Sequence, residues 1–128
     1  RVPFKGFAMK MSTIHIFRGP EQTSICTVDE VKRTETMFER MRGLLGSAVL
    51  TPNTGLWISS CNSIHSFFMG FSIDVLYLDK NNTILRVIED MPPWSINACW
   101  PARSVIELRQ GQVAVLGIQP GDSIQCIL

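Results

Sequence analysis

Two strand-like runs, Ile73 to Leu78 (IDVLYL) and Thr83 to Glu89 (TILRVIE), are separated only by Asp79-Lys80-Asn81-Asn82. Asp and Asn tolerate tight-turn backbone geometry, so the two runs are expected to pair as an antiparallel hairpin. Further runs of the same kind flank this one. Ser12 to Arg18 alternates Ile14 and Ile16 with Thr13, His15 and Phe17, and Gly19-Pro20 separates it from a second run, Thr23 to Val28. Leu56 to Ser59, Ile64 to Met69 and Ser104 to Leu108 read as strands, and Pro120-Gly121 as a tight turn into a last one.

Helical periodicity is confined to Glu35 to Leu45, where Met37, Phe38, Met41, Leu44 and Leu45 fall on one face, and to a short turn at Gly111 to Gly117. Thr36 with Glu39 forms a capping-box pattern, and Gly46 is a stop. The segment DMPPWSINACWP, Asp90 to Pro101, holds three prolines and two tryptophans and cannot continue a central strand; it reads as a long aromatic loop. The expected fold is mainly β (α+β): a small barrel-like or strongly curved antiparallel sheet of about seven short strands with one or two short helices.

A chain of 128 residues suffices for one domain with its own core. Residues 1–10 are read as an N-terminal extension, upstream coding sequence or an expression remnant, and residues 11–128 as a single β-rich domain. Twelve Lys and Arg against eleven Asp and Glu give a net charge of +1, with no basic stripe for nucleic acid. No apolar run approaches the roughly 18 to 20 residues that span a bilayer, and no signal-peptide pattern is evident, so a soluble cytoplasmic protein is expected. Cys26, Cys61, Cys99 and Cys126 are widely spaced among apolar neighbours, and reduced thiols are expected.

Five segments, ERMRGLLGS, CNSIHSFFMGFSIDVLYLD, the Pro-Pro-Trp of DMPPWS, VIELRQG and LGIQPGD, occur in the order and approximate spacing of the domain of unknown function 192 (DUF192) family. The chain resembles these uncharacterised bacterial and archaeal proteins over residues 12 to 128. The resemblance implies a compact β-rich fold and carries no settled activity. Its pattern falls on Arg42-Gly43-Leu44-Leu45, His65, Met69, Ile73-Asp74, Glu107-Leu108, Gly111 and Gly121-Asp122. This chain has Gly70 where members usually have a basic residue, and Ser72 where a small apolar residue or Pro is commoner.

Strand alternation puts Ser63, His65, Phe67 and Met69 on one face. His65 fits either a hydrogen-bonded core residue or a ligand-binding base. Asp74 and Glu107 lie within apolar runs and need partners if buried. Asp74 could cap the MGFSID bend or orient His65, and Arg103 and Arg109 offer Glu107 a local salt bridge. Cys61, His65 and Asp74 have the chemistry of a nucleophilic set, but no nucleophile elbow accompanies them. Cys61, His65 and Cys99 could ligate zinc or copper, without a Cys-x-x-Cys pair to support it. A reversible Cys61 to Cys99 disulfide is chemically allowed.

Trp94 and Trp100 offer rigid contact area on a proline-stiffened loop, either as a lid over the barrel or as a binding surface. Arg42 is placed to meet a carboxylate such as Glu107, and the aspartate of LGIQPGD to organise its turn. These features favour a non-enzymatic small-ligand or protein-binding accessory domain, its surface formed by His65, Met69, Trp94, Trp100, Glu107 and Arg42. No cofactor, nucleic acid or membrane span is predicted. The alternatives are a hydrolytic or redox enzyme using Cys61 and His65, or a metal-binding domain.

Overall fold

The computed structural model describes residues 10–34, 50–67 and 69–127. Nine strands follow in order: β1 (Lys10–Arg18), β2 (Thr23–Thr34), β3 (Thr54–Ser59), β4 (Ser63–His65), β5 (Ile73–Leu78), β6 (Ile84–Met91), β7 (Ile96–Ala98), β8 (Ser104–Arg109) and β9 (Ser123–Ile127). A short helix, Gln112–Leu116, lies between β8 and β9. Seven strands form one sheet in the order β6-β5-β8-β3-β2-β1-β9, and β4 pairs with β7 in a separate two-stranded sheet.

The hairpin of β5 and β6 forms as its sequence requires. The Asp79 carboxylate accepts the Asn81 and Thr83 N–H groups, and Asn82 takes φ 62°. The β1–β2 hairpin and the Gln119–Asp122 turn also form, and Asp122 organises that turn by accepting the Gln119 N–H. Asp122 has a second partner that its neighbours in sequence do not reveal: Arg18 of β1 grips both its oxygens, at 2.7 and 2.9 Å. That contact raises the already high pKa of the Arg18 guanidinium.

The expected antiparallel sheet is instead mixed, because β2 and β3 run parallel, from Glu30 opposite Thr54 to Thr34 opposite Ile58. A parallel pair needs a crossover of a dozen or more residues, and residues 35–53 supply that length. The helix read at Glu35 to Leu45 falls outside the described residues. The sheet does not close into a barrel among the described residues: its outer strands, β6 and β9, meet at one bridge, Thr83 to Ser123.

All six residues of β5 are buried, as are the first five of β8. Burial on both faces explains why these strands read as continuous apolar runs. One face, with Leu76, Leu78, Ile106 and Leu108, joins Ile14, Ile16, Val28 and Trp57 in a first core that the short helix seals through Val113. The other face, with Ile73, Val75, Tyr77 and Val105, builds a second core with Leu56, Ile58, Met69 and Met91. Ile64 of β4 is buried in this second core, so the β4–β7 sheet covers it as a flap.

Candidate functional site

The flap departs from the predicted course in two places. The strand read as Ile64 to Met69 ends at His65, and the supposed loop after Asp90 contains β7. The cause is Ser66, which is fully buried. Its N–H donates to the Ser95 carbonyl at 2.9 Å, its carbonyl accepts the Met69 and Trp94 N–H groups, and its hydroxyl donates to the Pro92 carbonyl at 2.6 Å while accepting the Ser95 N–H. These bonds turn the chain out of β4 and pin the Pro92-Pro93-Trp94-Ser95 segment beside it.

The two faces of the flap have separate tasks. On the inner side, beside Ile64, Asn97 Oδ1 accepts the hydroxyl of fully buried Tyr77 at 2.8 Å, tying β7 to the core. Burial pushes the Tyr77 phenol well above its ordinary pKa. On the outer side, His65 sits opposite Ile96 and stacks on Phe67 with centroids 4.7 Å apart. Phe67 stacks in turn on Trp94 at 5.9 Å. Phe67 N–H donates to His65 Nδ1 at 3.3 Å.

Trp94 adopts φ 60°, a left-handed conformation that costs a non-glycine residue on the order of 1–3 kcal/mol. Ser66 holds it there, and Trp94 stays 62% exposed, beside Ile96 at 69%. Trp94 therefore faces outward and does not act as a lid over the core. Trp100 is 74% exposed at the far end of β7, where its carbonyl accepts the Asn62 amide.

The other predicted site residues are spread through the fold. Met69 is buried in the second core, and Glu107 is fully buried between Leu56 and Val75 on the same face of the sheet. The salt bridge expected from Arg103 or Arg109 does not form, since both arginines are exposed while Glu107 is inside. Arg42 lies outside the described residues. Asp74 does cap a turn, but not the MGFSID bend: its carboxylate accepts the N–H groups of Asp90 at 2.9 Å and of Gly111 and Val113 at 3.0 Å each. A β-bulge in β6 turns the Asp90 N–H toward it.

Among the described residues no hydrogen bond links Cys61, His65 and Asp74; Cys61 Sγ donates instead to the Ser63 carbonyl at 3.0 Å. Cys61, His65 and Cys99 are not gathered as a metal-binding group, and none of the four cysteines is in a disulfide. Burial raises the pKa of the Cys26 thiol. Strand alternation put Phe67 on the face of His65 without marking it as a site residue, and sequence reasoning missed Ile96 as a member of the outer surface and Ser66 as its anchor. The one local signal for them is serine directly after His65 and directly after the Pro-Pro-Trp.

The family model described as "Uncharacterized ACR" (DUF192) matches residues 20–126. A UPF0127 protein of Thermococcus sibiricus is 34% identical over 103 residues, covering 73% of this chain and 64% of that protein. A UPF0127 protein of Pyrococcus abyssi is 39% identical over 66 residues, covering 51% and 56%. The chain thus matches between a little over half and just under two thirds of the length of these relatives. A crystal structure of a candidate transcription regulator from Sinorhizobium meliloti 1021 superposes with a TM-score of 0.79 at 20% identity, covering 93% of this chain and 95% of that one. A protein of unknown function from Novosphingobium aromaticivorans superposes at 0.72 and 18% identity, covering 97% and 89%. These two likenesses speak to the fold. The family match extends over most of the chain, and the chain belongs to the DUF192 family.

Proposed function

We propose that this protein is a binding domain whose recognition surface is the outer face of the β4–β7 flap, made of His65, Phe67, Trp94 and Ile96. The observation that carries this reading is Trp94, held in a left-handed conformation by buried Ser66 and presented 62% exposed at the end of a stacked aromatic series. Strain held by surrounding structure clusters at binding sites, and rigid aromatics provide contact area at little entropic cost. The chemistry suits a planar or apolar group, such as an aromatic small molecule or a side chain of a protein partner.

An enzyme centred on Cys61 and His65 has less support, because both oxygens of Asp74 are engaged by backbone N–H groups and Cys61 donates to a carbonyl. Regulation through nucleic acid, suggested by the designation of the S. meliloti neighbour, finds little electrostatic drive in a net charge of +1.

The test is a thermal-shift screen of aromatic fragments against the wild type and Trp94→Ala. Fragments that stabilise the wild type and leave Trp94→Ala unshifted place binding on the flap. Hits that shift both proteins equally would falsify the assignment.

A further inference from the structure

Where β3 ends, Ser60 turns the chain with φ 51°, and the following residues pass the start of β8. A cleft of about 360 Å³ opens there, lined by Ser60, Cys61, Asn62, Ala102 and Arg103. A backbone bond joins its two walls, Cys61 N–H donating to the Arg103 carbonyl at 3.1 Å, and Arg103 N–H is anchored to the Leu78 carbonyl of β5 at 2.7 Å. The guanidinium of Arg103 takes no part in that anchoring. It is exposed and has no hydrogen bond or ion pair among the described residues.

The lining contributes a guanidinium, an amide, a hydroxyl and a thiol, and no carboxylate. Arg33, stacked over the Trp57 ring at 4.0 Å and donating to the Ser59 hydroxyl at 3.5 Å, is not among the lining residues, so Arg103 supplies the charge of the cleft. Positive charge in a concave wall concentrates the local field, and a guanidinium fork matches the two oxygens of a carboxylate or phosphate. We infer that this cleft is a binding site for a small oxyanion, with Arg103 taking two of its oxygens and Asn62 and Ser60 donating to the others. The cleft lies at the other end of the flap from Trp94 and does not depend on the aromatic surface being a binding site.

The Cys61 thiol in the same wall makes occupancy readable. The 128-residue chain is alkylated with neutral iodoacetamide in chloride, inorganic phosphate or citrate at equal ionic strength and pH, and modification of each cysteine is followed by peptide mass spectrometry. The expected result is alkylation of Cys61 slowed by up to about threefold at an anion concentration of twice the dissociation constant, with exposed Cys126 unaffected. The phosphate and citrate arms separate the two oxyanion classes. In Arg103→Gln, which leaves the anchoring backbone bonds in place, the protection should disappear; Asn62→Ala should reduce it. Equal rates for Cys61 in all three salts, or protection that persists in Arg103→Gln, would overturn the assignment.

Discussion

Removing the Asp74 carboxylate should destabilise the whole fold, because its role is architectural. Asp74 is fully buried and accepts three backbone N–H bonds, from the β6 bulge at Asp90 and from Gly111 and Val113 at the entry to the short helix. Hydrogen bonds to a charged group contribute about 1.5–3 kcal/mol each, and the desolvation of the carboxylate offsets part of their sum. In Asp74→Ala the buried Val113 N–H loses its partner at a cost of about 1–3 kcal/mol, whereas the two less buried donors can recruit water at a smaller cost. The expected total is about 3–5 kcal/mol, a large part of the roughly 5–15 kcal/mol that stabilises a typical domain. Asp74→Asn keeps one acceptor oxygen but turns an amide N–H₂ toward backbone donors, so it should fall between Ala and the wild type. Urea unfolding followed by far-UV circular dichroism measures both differences, and hydrogen exchange at Val113 localises them. An Asn variant within about 0.5 kcal/mol of the wild type, the range typical of an inconsequential surface change, would refute this account and reopen Asp74 as a site residue.

The pH dependence of stability should be asymmetric. The Tyr77 phenol and the Cys26 thiol both have folded pKa values raised by burial, so their stabilising effect is complete below the unfolded values of about 10 and 8.5 and is lost as pH rises beyond them. Urea midpoints should therefore hold steady between pH 7 and 8 and fall from about pH 9 upward, and Tyr77→Phe should flatten the part of the decline above about pH 10. A Cβ added at buried Gly55 would meet Leu108 Cδ2 at 2.9 Å and the Glu107 carbonyl at 3.2 Å. Gly55→Ala should accordingly lose about 1–3 kcal/mol in the same urea assay, and a neutral result would mean that β3 and β8 can separate without cost.

The parts of the fold legible in the sequence were those determined by near neighbours. Asp79-Lys80-Asn81-Asn82 fixes its hairpin through bonds that reach no further than Thr83, and the apolar runs of β5 and β8 report burial on both faces. The parallel pairing of β2 with β3 has no local signature, since it depends on where the chain returns after residues 35–53. Asp74 was visible as a carboxylate needing a partner, but its partners lie 16, 37 and 39 residues away at Asp90, Gly111 and Val113; Asp122 was legible as the organiser of its own turn, and its bond to Arg18, 104 residues away, was not. His65 and Trp94 were legible as candidate types. Phe67 was legible only as a neighbour of His65 on one strand face, and Ile96 not at all, because the outer surface exists only once Ser66 ends β4 and β7 forms opposite it.

Ser66 thus links the stability of the flap to the presentation of its aromatic face, and the two can be separated experimentally. Its hydroxyl makes two of the bonds that hold Pro92 to Ser95, at 2.6 and 2.8 Å, while its backbone makes the others. Ser66→Ala removes the first set alone and should cost about 1–3 kcal/mol, consistent with loss of a buried hydroxyl and its partners. The inner face would remain anchored through Ile64 and the Tyr77 to Asn97 bond. Trp94 would then lose much of the restraint that keeps it left-handed, and residues before and after it should show faster hydrogen exchange while β5 and β8 keep their protection. Fragment binding at Trp94 should weaken in Ser66→Ala even under conditions where the protein is fully folded. If exchange near Trp94 and fragment affinity both stay at wild-type values, the backbone bonds of Ser66 are sufficient, and the hydroxyl has no part in presenting the surface.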